Sequence, residues 1–279
     1  MRRLKTAIFT AFLVASVSFG PDAGLAYDEV EVKDGGTLSG KISMKGDMPV
    51  PRTFPLVLYP FGTFCVKNER ISDGEGLLFL KEFAVSKDQG LKDVVISIED
   101  VESGKEFPPI NFEIISRDCE FLPFVTIVRQ GSEMTVVNED PLIHNSQVYQ
   151  ADKGNVILNV PVPPNQTDTH LIKFQKNRRI FQMICGFHEF MQVWGYRVEN
   201  PYNDLSDENG RFSIDRIPPG TYKVQAWHPQ FKKMTRKITV KPGQKVALNF
   251  EFDASEVVRP NYETQEKFRI GPKGEKTFR

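Results

Sequence analysis

Residues 185–191 read Cys185-Gly186-Phe187-His188-Glu189-Phe190-Met191 and connect two predicted strands, 179–185 and 192–199. A thiol, an imidazole and a thioether therefore fall within one short loop. Sulfur ligands together with imidazole select copper, and a cysteine with two histidines and a weak axial methionine forms a blue-copper site. The loop predicts a metal centre that needs one more histidine.

The best candidate for that histidine is His144, in the run Asn138-Glu139-Asp140-Pro141-Leu142-Ile143-His144-Asn145. We expect His144 to lie in a turn directly after a strand at 133–138. The other two histidines, His170 and His228, have no partner spacing, and we expect surface or packing roles for them.

The pairing of His144-Asn145 with Cys185, His188 and Met191 resembles the cupredoxin family. The two-residue gaps on either side of His188 are similar to the short ligand loop of amicyanin, and the resemblance spans about 110–198. It implies one mononuclear type 1 copper.

By this resemblance His144, Cys185 and His188 are equatorial ligands and Met191 is the axial ligand. Glu189 and Gln192 remain nearby alternatives for the axial position.

Two further roles follow from the resemblance. Asn145 would tie the two ligand loops together. The imidazole of His188 would lie near the surface, inside an apolar patch where a redox partner docks. The apolar residues that flank the ligands are expected to exclude water, namely Leu142, Ile143, Phe187 and Phe190.

Nothing in the sequence indicates an enzyme. No Ser-His-Asp pattern or phosphate-binding glycine loop is present, and we interpret the acidic pairs Glu139-Asp140 and Glu99-Asp100 as solvated turns. Four histidines are too few for a multicopper oxidase, and no Met-rich or His-rich tract indicates a copper store.

The first 26 residues have the features of a cleavable secretory signal peptide. A basic start, Met-Arg-Arg-Leu-Lys, precedes an apolar stretch at 6–19 and small residues at Gly24 and Ala26. No segment reaches the roughly 20 apolar residues that span a bilayer. We expect a periplasmic protein without a transmembrane segment.

The three cysteines divide unevenly in an oxidising compartment, so one thiol is left over. Cys65 and Cys119 lie away from other ligand types, whereas Cys185 lies beside His188 and Met191. We predict a Cys65–Cys119 disulfide, with Cys185 free to bind metal.

The chain as a whole is predicted to be all-β, since short β-branched and aromatic runs alternate with Gly, Pro, Asn and Asp clusters. Predicted strands are at 36–44, 93–98, 124–128, 133–138, 155–160, 179–185, 192–199, 211–217, 221–227, 234–240 and 245–252. The run 76–85 is apolar without a clear period and is compatible with helix or strand.

Near the C-terminus, Asp207-Glu208-Asn209-Gly210-Arg211-Phe212 and Ile217-Pro218-Pro219-Gly220-Thr221-Tyr222 resemble the carboxypeptidase regulatory-like, transthyretin-like β-sandwich module. The run 36–44 looks like the opening strand of such a module, so the two ends of the chain are expected to pack together. Members of that group are usually structural or interaction modules.

The predicted fold is a cupredoxin Greek-key β-sandwich, with a second small β-sandwich and an N-terminal β-rich region. The predicted segments are a signal peptide at 1–26, the β-rich region at 27–109, the cupredoxin domain at 110–200, the small sandwich at 201–254 and a flexible tail at 255–279.

The predicted function is electron transport between redox partners, such as a cytochrome or an oxidoreductase. The alternative is an envelope structural or protein-binding module with a degenerate or structural copper site. The 36 Lys and Arg balance 36 Asp and Glu, so the charge gives no sign of nucleic-acid binding. Without residues 1–26 the counts are 33 and 35, a charge of −2.

Overall fold

A computed structural model describes residues 27–151, 155–175 and 178–258. The predicted signal peptide and nearly all of the predicted tail lie outside these residues. The described chain is nearly all β, as predicted. Its strands are β1 Asp28–Glu29, β2 Gly36–Lys45, β3 Arg52–Pro55, β4 Leu77–Leu80, β5 Val95–Glu99, β6 Ser103–Gly104, β7 Phe112–Arg117, β8 Glu120–Leu122, β9 Val125–Val128, β10 Ser132–Asn138, β11 His144–Gln150, β12 Asn155–Val162, β13 Thr167–Ile172, β14 Ile180–Cys185, β15 Gln192–Arg197, β16 Asn203–Leu205, β17 Arg211–Ile217, β18 Gly220–Trp227, β19 Met234–Val240, β20 Lys245–Ala247 and β21 Phe250–Asp253.

The larger sandwich is built from two sheets, with strand orders β13-β10-β7-β8 and β12-β11-β14-β15-β9. Strands β11 and β14 are adjacent and antiparallel, with Ser146 opposite Cys185. Alternate residues of β10 and β11 are buried, as expected for strands with one face on a core. The strands that carry His144 and Cys185 are therefore neighbours in the interior of the second sheet.

The smaller sandwich combines strands from both ends of the described chain. One sheet has the order β16-β5-β18-β19, and in the other β2 pairs with β17, β20 and β21. Its core includes Leu38 and Ile42 from β2, Ile96 from β5 and Val224 from β18. The expected association of 36–44 with the C-terminal strands is present, while the domain boundaries at 109 and 201 remain predictions.

Residues 52–82, here called the cap segment, lie on the larger sandwich, whereas Phe83 and Val85, which follow them, pack against the core of the smaller one. They contain the β3–β4 hairpin, a 3-10 turn at Leu56–Leu58 and the single-turn helix α1, Gly62–Cys65. Buried cap residues such as Phe54 and Leu78 belong to the same core as Cys185. The run 76–85, which the sequence left open, contains strand β4.

The two sandwiches meet in a third apolar cluster. Trp227 of β18 packs against Tyr196 of β15 with ring centroids 5.0 Å apart and the rings tilted by 35°. Arg179 pairs there with Glu99 and, at 2.6 Å, with Glu199. Glu99 is buried, so the prediction of a solvated Glu99-Asp100 turn is wrong for Glu99 and right only for the exposed Asp100.

Two local predictions also differ from the structure. His144 is the first residue of β11 rather than a turn residue, because its backbone pairs with Val162 of β12. The predicted strand 245–252 is divided into β20 and β21 at Leu248-Asn249. No helix in the described parts of the chain is long and apolar enough to span a membrane.

Candidate metal centre

The three predicted equatorial ligands meet at one end of the larger sandwich. Cys185 Sγ lies 3.6 Å from His144 Nδ1 and 3.7 Å from His188 Nδ1, and the three ligand atoms are all within 4.8 Å of one another. All three side chains are fully buried. The β11–β14 register brings His144 and Cys185 together, and the loop after β14 returns His188 to the same point.

The ligand loop is shaped by its own backbone hydrogen bonds. The N–H of His188 donates to the carbonyl of Cys185 at 3.1 Å, and the N–H of Met191 donates to the carbonyl of His188 at 2.8 Å. The N–H of Cys185 donates in turn to the carbonyl of Met191 at 3.2 Å. These two consecutive turns direct both side chains, Cys185 and His188, towards the same space.

The donor set fits a copper ion. His188 Nε2 lies 2.6 Å from the carbonyl oxygen of Pro60, which can only accept a hydrogen bond, so Nε2 carries the proton and Nδ1 offers its lone pair. His144 Nε2 lies 2.8 Å from Asp140 Oδ2 in the same manner. Two imidazole Nδ1 atoms and one buried thiol are thus presented to each other, a set that suits copper.

Electrostatics favour the thiolate form of Cys185. Burial alone would raise the pKa of this thiol, but hydrogen bonds to His144 and His188 outweigh burial and lower the pKa to about 6. Burial would lower the pKa of His144, yet hydrogen bonds to Asp140 and Cys185 raise it to about 9. A thiolate is the form that binds metal, and the proton that His144 holds in the metal-free site is released when a metal ion binds.

Asn145 connects the two ligand loops through its backbone. Its N–H donates to Cys185 Sγ at 3.3 Å, and its carbonyl accepts from the N–H of Gly186 at 2.9 Å. Glycine is required at 186, because a Cβ there would lie 2.4 Å from Asn145 Oδ1 and 2.5 Å from Gln147 Nε2. The position agrees with the linking role predicted for Asn145.

Met191 is buried in the same core as Cys185, and its role as axial ligand stays a prediction. The two alternatives are engaged elsewhere. Glu189 Oε1 accepts from the Tyr59 hydroxyl at 3.0 Å, and the Gln192 side chain contacts Arg52 and Gln182, each at 3.2 Å. Met191 is therefore the axial candidate that the surrounding contacts favour.

The expected exposure of His188 is wrong. The cap segment covers its ring, and Pro60 accepts the hydrogen bond from the nitrogen that would otherwise face solvent. Tyr59 packs edge-on against Phe190 at 5.1 Å, beside Phe54. This cover could not be predicted from the sequence, because the cap segment has only short elements and its position depends on contacts with distant parts of the chain.

Asp140 is a functional residue that the sequence interpretation missed. It is 2% exposed rather than solvated, and it accepts hydrogen bonds from the N–H groups of Asp118 at 2.6 Å and Cys119 at 3.0 Å, besides contacting His144. Burial would raise the pKa of Asp140, but the hydrogen bonds from His144 and the backbone outweigh it and lower the pKa. Its neighbour Glu139 does lie on the surface, paired with Arg117.

The predicted apolar surroundings are largely present. Phe190 is buried, and Leu142 and Phe187 pack against the same core, while Ile143 is half-buried. Phe121, which the sequence did not single out, lies edge-on to His144 at 6.1 Å. These side chains keep water from the ligand atoms.

The remaining predicted residues behave as follows. Cys65 and Cys119 form a disulfide and Cys185 is free, which confirms the predicted pairing. His170 lies 2.8 Å from Asp168 on β13, and His228 stacks on Phe83 at 5.4 Å. Neither of these histidines joins the ligand cluster.

Comparison with solved structures found partial likenesses to copper proteins. A purple cupredoxin from Nitrosopumilus maritimus is 19% identical over 32% of this chain and 100% of its own, with a TM-score of 0.27. The copper-containing nitrite reductase from Thermus scotoductus SA-01 is 19% identical over 34% of this chain and 24% of its own, with a TM-score of 0.28. Amicyanin from Paracoccus versutus is 15% identical over 37% of this chain and 97% of its own, with a TM-score of 0.27.

A comparison with curated proteins gave no match. The assignment of the metal centre therefore rests on its own geometry. Residues 198–253, which contribute strands β16–β21 to the smaller sandwich, match the carboxypeptidase regulatory-like domain, as their turn motifs predicted.

Proposed function

We propose that this protein is an exported electron carrier that holds one mononuclear type 1 copper at His144, Cys185 and His188, with Met191 as the axial ligand. The observation that carries the proposal is the convergence of two imidazole Nδ1 atoms and one cysteine Sγ within 4.8 Å, all fully buried. A copper ion held there would supply a one-electron couple. The protein would act as a carrier and not convert a substrate.

The surrounding residues would assist electron transfer by fixing the orientation of the metal-binding side chains. Asp140 and the Pro60 carbonyl fix the outer nitrogens of the two imidazoles, and the Asn145 N–H fixes the sulfur. Groups that orient ligands in this way tune a metal centre. Because the ligands are held at the end of a packed sandwich, little rearrangement should accompany a change of oxidation state.

Copper addition tests the proposal. We expect protein without residues 1–26 to take up one equivalent of Cu(II) and to develop an intense visible band with narrow copper hyperfine splitting by EPR. Cys185→Ser should abolish the band, because the thiolate is its source. His170→Ala removes a histidine outside the site and should keep it. A colourless wild-type protein would contradict the proposal.

The location and the partners are part of the same proposal. The basic and apolar pattern of residues 1–26 supports export to the periplasm, where a cytochrome or an oxidoreductase would exchange electrons with the site. Fractionation of cells that express the full chain tests the location.

A second function is favoured by the burial of His188. An imidazole covered by the cap segment offers no direct contact to a partner, so a structural copper site in an envelope-binding module is the alternative. The two functions differ in their redox behaviour. A carrier should be reduced and reoxidised repeatedly with retention of the band, whereas a structural site should raise the unfolding temperature without reversible redox cycling.

A further inference from the structure

The outer nitrogen of each candidate imidazole makes a hydrogen bond to another residue. The two partners, Pro60 and Asp140, are far apart in sequence. His188 Nε2 meets the Pro60 carbonyl at 2.6 Å, and His144 Nε2 meets Asp140 at 2.8 Å. Each contact fixes the outer nitrogen of its ring and directs Nδ1 towards Cys185. The orientation of the two rings therefore depends on how Pro60 and Asp140 are themselves held.

On the cap side, Pro60 is fixed by its neighbours. Tyr59 packs against Phe190 at 5.1 Å and donates its hydroxyl hydrogen to Glu189 at 3.0 Å. Helix α1 begins two residues after Pro60 at Gly62 and ends at Cys65. Gly62 lies tight against the Leu56 carbonyl, because a Cβ there would be 2.0 Å from that oxygen.

On the other side, Asp140 is fixed by the two-residue turn between β7 and β8. Asp118 and Cys119 form this turn with φ values of 53° and 58°, the left-handed conformation of the tight hairpin type. In this conformation both N–H groups point at the Asp140 carboxylate, at 2.6 and 3.0 Å. The turn thus fixes the position of the Asp140 carboxylate, and this carboxylate in turn orients the His144 ring.

The disulfide connects these two sides. Cys65 is the last residue of α1, and Cys119 is the second residue of the turn. Beside the disulfide, Asn68 Nδ2 donates to the Asp118 carbonyl at 2.8 Å and to Glu120 Oε2 at 3.1 Å. A series of contacts therefore links the two histidines. His188 contacts Pro60, the disulfide joins the cap segment to Cys119, and the Cys119 N–H donates to Asp140, which contacts His144.

We propose that the Cys65–Cys119 disulfide is a positioning element of the metal centre, which keeps the cap segment closed over His188 and holds both imidazole rings in their ligating orientation. The identity of the metal rests on the proposed function. The positioning role itself concerns only protein groups, and it is testable without metal.

The first test is the accessibility of Cys185 in the metal-free protein. Cys185 is the free cysteine among the described residues and is fully buried, so a thiol reagent such as Ellman's reagent should react with it slowly. In the double variant Cys65→Ala/Cys119→Ala, we expect reaction at least about tenfold faster, because the cap opens more often. Circular dichroism establishes that the variant is folded.

The matched control is Ile71→Ala. Ile71 is a buried residue of the same cap segment, and its truncation loosens the packing while the disulfide and both outer hydrogen bonds remain. We expect Cys185 to react much more slowly in Ile71→Ala than in the double variant. Equal rates in the double variant and the wild type would overturn the proposal, and so would equal rates in the double variant and Ile71→Ala.

Copper loading gives a second readout. The double variant should bind copper about 10–100-fold more weakly and show a wider hyperfine splitting than the wild type, because the imidazoles lose their fixed orientation. If the wild type shows no type 1 spectrum, the proposed function fails while the thiol comparison still decides the positioning role. If the double variant does not fold, wild-type protein is compared before and after reduction of the disulfide, with alkylation of Cys185 followed by peptide mass spectrometry. An unchanged Cys185 rate after reduction overturns the proposal.

Discussion

Removal of the Asp140 carboxylate should destabilise the metal-free protein strongly. Three donors end on this group: the buried N–H of Cys119, the buried Nε2 of His144 and the partly buried N–H of Asp118. A buried donor left without its acceptor costs about 1–3 kcal/mol. Asp140→Ala leaves all three without an acceptor, so we expect the free energy of unfolding to fall by at least about 3 kcal/mol, comparable to breaking a buried ion pair.

Asp140→Asn gives an intermediate case that can be worked out from the same geometry. Asp140 Oδ2 accepts from both Cys119 and His144, whereas Oδ1 accepts only from Asp118. An asparagine that places its oxygen on the Oδ2 side keeps two of the three hydrogen bonds. The expected loss is then the cost of one unsatisfied donor, about 1–3 kcal/mol.

The assay is denaturant unfolding of the metal-free variants, followed by tryptophan fluorescence, since Trp194 lies in β15 beside the ligand strands. Copper affinity, measured by competition with a chelator, should fall about 10–100-fold in Asp140→Ala. Glu139→Ala is the matched control, because the neighbouring carboxylate is exposed and solvent screens its surface ion pair with Arg117. Equal unfolding free energies and copper affinities for the two alanine variants would refute the reasoning.

Two buried titratable groups away from the metal centre give pH-dependent predictions. Burial raises the pKa of Asp93 to about 6 from 3.8. Its stabilising contribution is therefore present below about pH 4 and is lost as pH rises to about 6, a difference of about 3 kcal/mol. Asp93→Asn, which tolerates the left-handed φ of 64° at this position, should raise the unfolding free energy by up to about 3 kcal/mol at pH 7 but not at pH 4. The same gain at both pH values in urea unfolding would contradict this. Burial lowers the pKa of His228 to about 3, so the unfolded chain takes up a proton that the folded protein does not, and stability falls by about 1.4 kcal/mol per pH unit as pH decreases from 6.5. His228→Leu should reduce the slope of unfolding free energy against pH between pH 6 and 4, and an unchanged slope would show that His228 is not the group responsible.

The cluster of His144, Cys185 and His188 could be predicted from sequence because its candidate donor groups follow a local pattern. Cys185, His188 and Met191 share one short loop, and the donor set of a copper site then required a second histidine. The free state of Cys185 followed from the same argument, since two of three cysteines pair in an oxidising compartment.

Asp140 and Pro60 could not be found in this way. The carboxylate of Asp140 is buried only because the turn at 118–119 lies against it, and Pro60 touches His188 only because the cap segment is folded over the ligand loop. Neither contact has a periodicity or spacing in the sequence, since each joins segments that are far apart. Strand β11 was not predicted from the sequence for the same reason. Its polar sequence, His144-Asn145-Ser146-Gln147, forms a strand because β12 and β14 pair with it on both sides.

The arrangement of the smaller sandwich affects the order in which the protein can assemble. The larger sandwich lies between β5 and β16 in the chain, and the chain enters and leaves it at one place, where the N–H of Ile98 donates to the carbonyl of Tyr202 at 2.9 Å. During synthesis β2 and β5 emerge long before the strands that pair with them, so the larger sandwich is complete while the smaller one is half made. Until β17–β21 arrive, β2 offers an unpaired edge with apolar Leu38 and Ile42, the kind of surface that promotes aggregation. Truncations after residue 200 should therefore harm yield in the cell more than they harm the metal centre.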